Sequence, residues 1–230
     1  MTWQDAYSSD FQSRWALSAV PRGFIGYLLT RGSAPRNTRQ DRFIAAYCVF
    51  WTLETLLDPI VGGPVAKALG WSEGLKGSAT LFLFVYLGDR RVCVLFFGLC
   101  ESGILRRAAA FSLIVPIATG VIYGTASWLQ PGLPGQWMWL IYELGFAAMA
   151  IWLAHWWTPR SCPTDSDELK SMLRSCGAYV TSYYLLWATC DVLILLGVDE
   201  GWGLRMLPNQ LYYAFWVPFV YVRYAATRSA

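Results

Sequence analysis

Long apolar runs broken by short polar interruptions set the pattern of this chain. A helix needs about 20 predominantly apolar residues to cross the hydrocarbon of a bilayer. Six windows meet that requirement, near 43–62, 79–99, 109–129, 137–157, 177–197 and 207–226. The connections carry helix breakers: "GGPV" after the first window, "QPGLPGQ" between the third and fourth, "TPRSCPTDSDE" after the fourth and "GVDEGWG" before the sixth. The longest polar stretch, 158–176, reads as a loop that begins a short helix, with Asp165 or Ser166 as N-cap. The stretch "WALSAVPRGFIGYLLT" (15–30) is aromatic and apolar but too short between Arg22 and Arg31 to span. It reads as an amphipathic helix at the cytoplasmic interface, with a seventh span as the alternative. There is no internal repeat and no low-complexity run.

This pattern predicts an all-α fold: a polytopic integral membrane bundle of six transmembrane helices. Residues 1–42 form an N-terminal cytoplasmic and interfacial segment, 43–226 the bundle and 227–230 a cytoplasmic tail. The basic residues test the arrangement. With the N-terminus inside, thirteen lie in inside segments: Arg14, Arg22, Arg31, Arg36, Arg39, Arg42, Arg106, Arg107, Arg160, Lys170, Arg174, Arg223 and Arg228. Lys67, Lys76 and Arg205 lie outside. Such an excess across alternate loops is the positive-inside pattern, and it predicts both termini cytoplasmic.

Composition agrees. The chain is 56% hydrophobic and 14% charged, against about a quarter charged in soluble domains, and its mean hydropathy is +0.37. A net charge of +3 suggests no nucleic-acid partner. The first fifteen residues begin polar and acidic, without the basic-then-apolar order of a cleavable signal peptide. The six cysteines are dispersed and read as small apolar packing residues rather than as disulfides or metal ligands. His155 is the single histidine, which excludes most histidine-based catalysis. There is no GxSxG elbow, P-loop, GxGxxG, HExxH or DDxxD motif, and no lysine inside a window to hold retinal. No cofactor and no metal are expected.

The chemistry therefore rests on charges inside the windows: Glu54 and Asp58 in the first, Asp89, Arg90 and Arg91 in the second, Glu143 in the fourth and Asp191 in the fifth. A charge near the bilayer centre costs several kcal/mol unless it is paired or faces water. Glu54 and Asp58 are four apart and share a helix face with Tyr47 and Trp51. Two carboxyls so close in a low dielectric do not both stay ionised, which leaves one as a general acid. Asp58 precedes Pro59, so a helix end, capped or wetted, is its other reading.

Asp89 falls near the midplane, with Arg90 and Arg91 about 100° and 200° further round the helix. One reading is a buried ion-pair network that locks helices together. Another is a cavity in which the arginines grip an anionic head group and Asp89 takes part in chemistry. A third is a break at Gly88 that makes "LGDRR" a re-entrant turn. Asp191 has Trp187 one turn before it and Tyr183 and Tyr184 two turns before. Such an aromatic wall either packs or stabilises a cation and shapes a pocket. Glu143 lies on a face of small residues, Ala147, Ala150 and Ala154, which reads first as a packing stripe.

"YLGDRRVCVLFFGL" and "LLWATCDVLIL", with Asp89 and Asp191 separated by 102 positions, resemble the two aspartate-bearing helices of the lysoplasmalogenase family of polytopic membrane hydrolases. That resemblance implies hydrolysis of a vinyl ether by Asp89 and Asp191. It departs from the family at Arg90 and Arg91, normally apolar, and in having six spans rather than eight. "QDRFIAAYCVFWTLE" is similar to the Cys- and Trp-rich helix of fungal membrane-integrated terpene cyclases, which implies Glu54 as the acid that protonates a terminal epoxide. That family's late acidic motif is matched here only by "NQLY", with Asn209.

Both resemblances imply a desolvated carboxylic acid that protonates a lipid or isoprenoid substrate. Asp89, Asp191 and Glu54 are the expected catalytic residues. Arg90, Arg91, Asp58, Trp51, Trp187 and Tyr184 are the expected substrate-binding residues. The competing expectations are a transporter or proton-coupled channel with an acid and arginine relay, and a scaffold of ion pairs.

Overall fold

The computed structural model describes residues 2–9, 14–31, 38–71, 74–100, 104–163 and 167–228, and every element in them is helical. We label these α1 (Trp3–Tyr7), α2 (Arg14–Leu17), α3 (Ala19–Arg31), α4 (Arg39–Ala68), α5 (Gly74–Cys100), α6 (Ile104–Leu129), α7 (Gln136–Ser161), α8 (Asp167–Leu195), α9 (Glu200–Leu204) and α10 (206–227). Among the described residues four helices are long and apolar enough to cross a membrane: α4, the Arg106–Leu129 part of α6, α7 and α8. Five of the six apolar windows fall within helices, α4 to α7 and α10, and the window 177–197 lies in α8 up to its end at Leu195. On α6, Ile114, Ile117, Val121 and Ile122 face outward.

Several expected breaks are absent, and proline chemistry explains why. Proline lacks the N–H that would donate to the carbonyl one turn back. The chain absorbs that loss by widening locally into π-helical turns at Val61–Val65 around Pro64, at Leu153–Trp157 ahead of Pro159 and at Gln210–Phe215 ahead of Pro218. "GGPV" therefore does not end α4, Pro59 sits inside it, and Asp58 is a buried helix-interior residue rather than an end. Likewise α7 runs on to Ser161. The Asp165 or Ser166 cap lies outside the described residues. Helix α5 is continuous through Gly88, Asp89, Arg90 and Arg91, so "LGDRR" is not a re-entrant turn.

The most extensive helix pairing is α7 on α8. Ala147, Ala150 and Ala154 are buried there, and a Cβ on Gly177 would meet the Ala154 Cβ at 2.4 Å. The small-residue stripe is thus a close-approach seam. The reading of all six cysteines as packing residues is corrected: Cys100 at the end of α5 and Cys162 just beyond α7 form a disulfide, with Cα atoms 4.5 Å apart. The dispersed spacing hides the pair because the two helix ends meet only in three dimensions.

The Asp199 carboxylate, just before α9, accepts the Trp3 and Gln4 amides at 2.6 and 3.4 Å, and Tyr7 packs on Trp202. At the start of α4, Thr38 and Asp41 form a capping box, and Asp41 accepts from Tyr224 at 2.9 Å and pairs with Arg228 at 3.3 Å. Helix α10 rises about 33 Å between those two ends. Residues 2–7 and 224–228 therefore pack at opposite ends of α10. Helices α2 and α3 cover the distance between, burying Leu17, Ser18, Pro21 and Leu28 against α4 and α10.

Candidate functional site

Helix α5 carries Asp89 into the interior, where the residue is 2% exposed. Burial of a carboxylate demands donors. Two tyrosines supply them: Tyr142 of α7 donates to one oxygen and Tyr184 of α8 to the other. Phe146 stacks on the Tyr184 ring at 5.3 Å and holds the Tyr142 ring at 4.8 Å. The Tyr212 hydroxyl of α10 rests on Gly88, within 1.9 Å of where a Cβ would stand. Only glycine permits that approach.

Arg91, 1% exposed, points away from Asp89 around the same helix. Its Nη2 donates to the Tyr212 carbonyl at 2.7 Å, and its guanidinium lies 4.0 Å from the Tyr212 ring centroid and 5.9 Å from that of Trp216. Tyr47 of α4 donates to the Arg91 carbonyl at 3.1 Å and accepts from the Trp216 indole at 2.9 Å. Glu54, on the same helix, lies within electrostatic range of Arg91 and Asp89, with Asp58 one turn along. Asp58 is buried and Glu54 half-buried. Trp51 is buried against Tyr47 and Phe50. Arg90 projects about 100° round from Asp89 and is half-buried.

Asp191 does not join this group, which corrects the expectation of one site built on Asp89 and Asp191. It lies seven residues beyond Tyr184 on α8, about 10 Å further along the bundle. There it pairs with Arg205, which also reaches Glu143 at 3.5 Å. Trp187 lies between the layers: its ring meets Tyr184 and Tyr212, and its indole donates to Asn209 at 3.0 Å. Asn209 in turn donates to the Tyr7 hydroxyl at 3.2 Å. The sequence pattern offers Arg205 only as a loop charge. Its one signal in the sequence was a single cation beside an apolar window that faces two unmatched acids.

Asp89 and Arg91 thus share one layer with Tyr184 and Tyr212, and Glu54 lies within electrostatic range of both. Tyr142, Tyr212 and Trp216 had no separate signal, because a tyrosine that packs and one that binds a carboxylate look alike in an apolar run. Among the described residues no group of three His, Cys, Asp or Glu side chains is placed to hold a metal ion. A cavity of about 340 Å³ opens at the far end of α8 and α10, beside Asp167, Ser171, Arg223 and Thr227, away from Asp191. Among the described residues these features define an all-α protein with helices long and apolar enough to cross a membrane and charged side chains locked into its interior. No family model matches the chain, and no curated protein or solved structure matches it.

Proposed function

We propose that the protein is an integral membrane enzyme that protonates a lipid or isoprenoid substrate, with Glu54 as the proton donor. The observation that supports this reading is the division of labour between two neighbouring acids. Both Asp89 oxygens are occupied as acceptors from tyrosine hydroxyls, so Asp89 is poorly placed to hand over a proton. Glu54 lies within electrostatic range of the same cluster and is less buried. In the proposed step the Glu54 O–H gives its proton to an electron-rich group, a vinyl ether carbon or an epoxide oxygen. The cation that forms lies beside the Asp89 carboxylate and the aromatic faces, which favour it. Arg91 matches the charge left on Glu54.

The same reading takes the bundle to have seven spans. Residues 14–31 would reach about 27 Å as a helix, close to the hydrocarbon thickness. Arg22 lies 5.7 Å from the Trp15 ring, two turns back, which suits a cation reaching toward the membrane surface. With that span included, eleven basic residues fall at the end holding Arg39, Arg106, Arg160 and Arg228, and Arg14, Lys67, Lys76 and Arg205 fall at the other. The excess favours a cytoplasmic C-terminal end and an N-terminus on the far side.

A transporter reading draws on the second charged layer along the same face of α8. One experiment separates the two. Membranes containing the protein are given vinyl-ether lysolipids and epoxidised isoprenoids, and proteoliposomes are assayed for proton flux. The enzyme reading expects turnover of one lipid class, lost in Glu54→Gln by about 10²-fold or more. Proton flux without turnover would overturn it.

A further inference from the structure

The Glu143, Asp191 and Arg205 cluster carries an imbalance that the proposed chemistry at Glu54 does not use. Glu143 is 3% exposed and Asp191 0%. Arg205, largely buried beside the rings of Tyr7 and Trp202 at 5.9 and 5.8 Å, is the one cation paired with both among the described residues. Two carboxylates against one guanidinium leave a net negative charge in a low-dielectric interior, which is strongly unfavourable.

Hydrogen-bond accounting points the same way. Both carboxyl groups meet the Arg205 guanidinium, yet Glu143 Oε2 and Asp191 Oδ2 are both buried without a donor, and Arg205 Nε is buried without an acceptor. Two ionised carboxylates have no hydrogen to offer one another. One proton between them supplies the missing bond and removes the excess charge. Arg205 selects its owner: the guanidinium is in direct contact with Asp191 but stands 3.5 Å from Glu143. Around the pair, α8 contributes Cys190, the segment before α10 contributes Arg205, and α7 contributes Tyr142, whose hydroxyl is committed to Asp89.

We infer that Glu143 and Asp191 share one proton, carried by Glu143, and that this cluster is a proton-binding site distinct from Glu54. It is separated from the Asp89 layer by Trp187.

Isosteric substitution in the full chain, purified in detergent, tests this without reference to any substrate. Glu143→Gln mimics the neutral acid, so its melting temperature and yield should equal those of wild type. Asp191→Asn strands Arg205 and should lower both. The infrared spectrum of the wild type at neutral pH should contain a protonated-carboxyl band that Glu143→Gln removes while Glu54→Gln does not. If Glu143→Gln were as damaging as Asp191→Asn, or left every such band in place, the inference would be overturned.

Discussion

At the residue scale, the fold tolerates Asp89 because both its oxygens are matched, and Arg91 because all but its Nε has a partner. Asp89 takes hydroxyls from two helices, and Arg91 takes a carbonyl and two aromatic faces. Removing one donor from a buried carboxylate should therefore cost about 1–3 kcal/mol. Tyr184→Phe is expected to lower the melting temperature in detergent accordingly, and an unchanged melting curve would show that the bond contributes nothing. Gly88→Ala makes a steric test of the same site. Its methyl would stand 1.9 Å from the Tyr212 hydroxyl, and over-packing of that kind costs about 1–3 kcal/mol. Asp89 and Glu54 were legible in the sequence, because an acid in an apolar run stands out. Their partners were not. Tyr142 and Tyr212 sit among thirteen tyrosines, and nothing local separates those that reach a carboxylate.

At the scale of elements, periodicity and run length located the helices well, and proline misled the placement of their ends. "GGPV" and "TPR" signal termination in a regular helix, but a π turn accommodates the missing N–H and lets packing continue. The α7–α8 seam behaves as its small residues suggested. Gly177→Val should force those helices apart and cost several kcal/mol, seen as lost yield or a lower melting temperature, since even a Cβ meets Ala154 at 2.4 Å. The junction of α5 and α7 has a chemical test. Oxidant treatment should link Cys100 to Cys162 within one chain, seen by mass spectrometry of the digested protein. Links to Cys48, Cys93 or Cys176 instead would contradict the packing.

For the whole molecule, the sequence conveyed composition and charge asymmetry but not the course of the first thirty residues. The information lies in long-range contacts: Asp199 on the Trp3 amide, and Tyr224 and Arg228 on Asp41. Epitope tags at the two termini should accordingly be reached from opposite faces of sealed vesicles. Tags reached from the same face would restore the expected six-span arrangement. The two acid layers also explain why linear spacing misdirected the site. Asp89 and Asp191 each lie in a central apolar run, but α8 carries Asp191 about 10 Å past the tyrosine that binds Asp89.

The division between those layers is what the functional account depends on. Its most direct test is the rate of lipid conversion per folded molecule in Glu54→Gln and Asp191→Asn proteins, each measured beside wild type on the lipid that wild type consumes. The account predicts that Glu54→Gln loses about 10²-fold or more, while Asp191→Asn retains near wild-type turnover once its lower yield is corrected for. Full activity without the Glu54 carboxyl, or its abolition by Asp191→Asn alone, would contradict it.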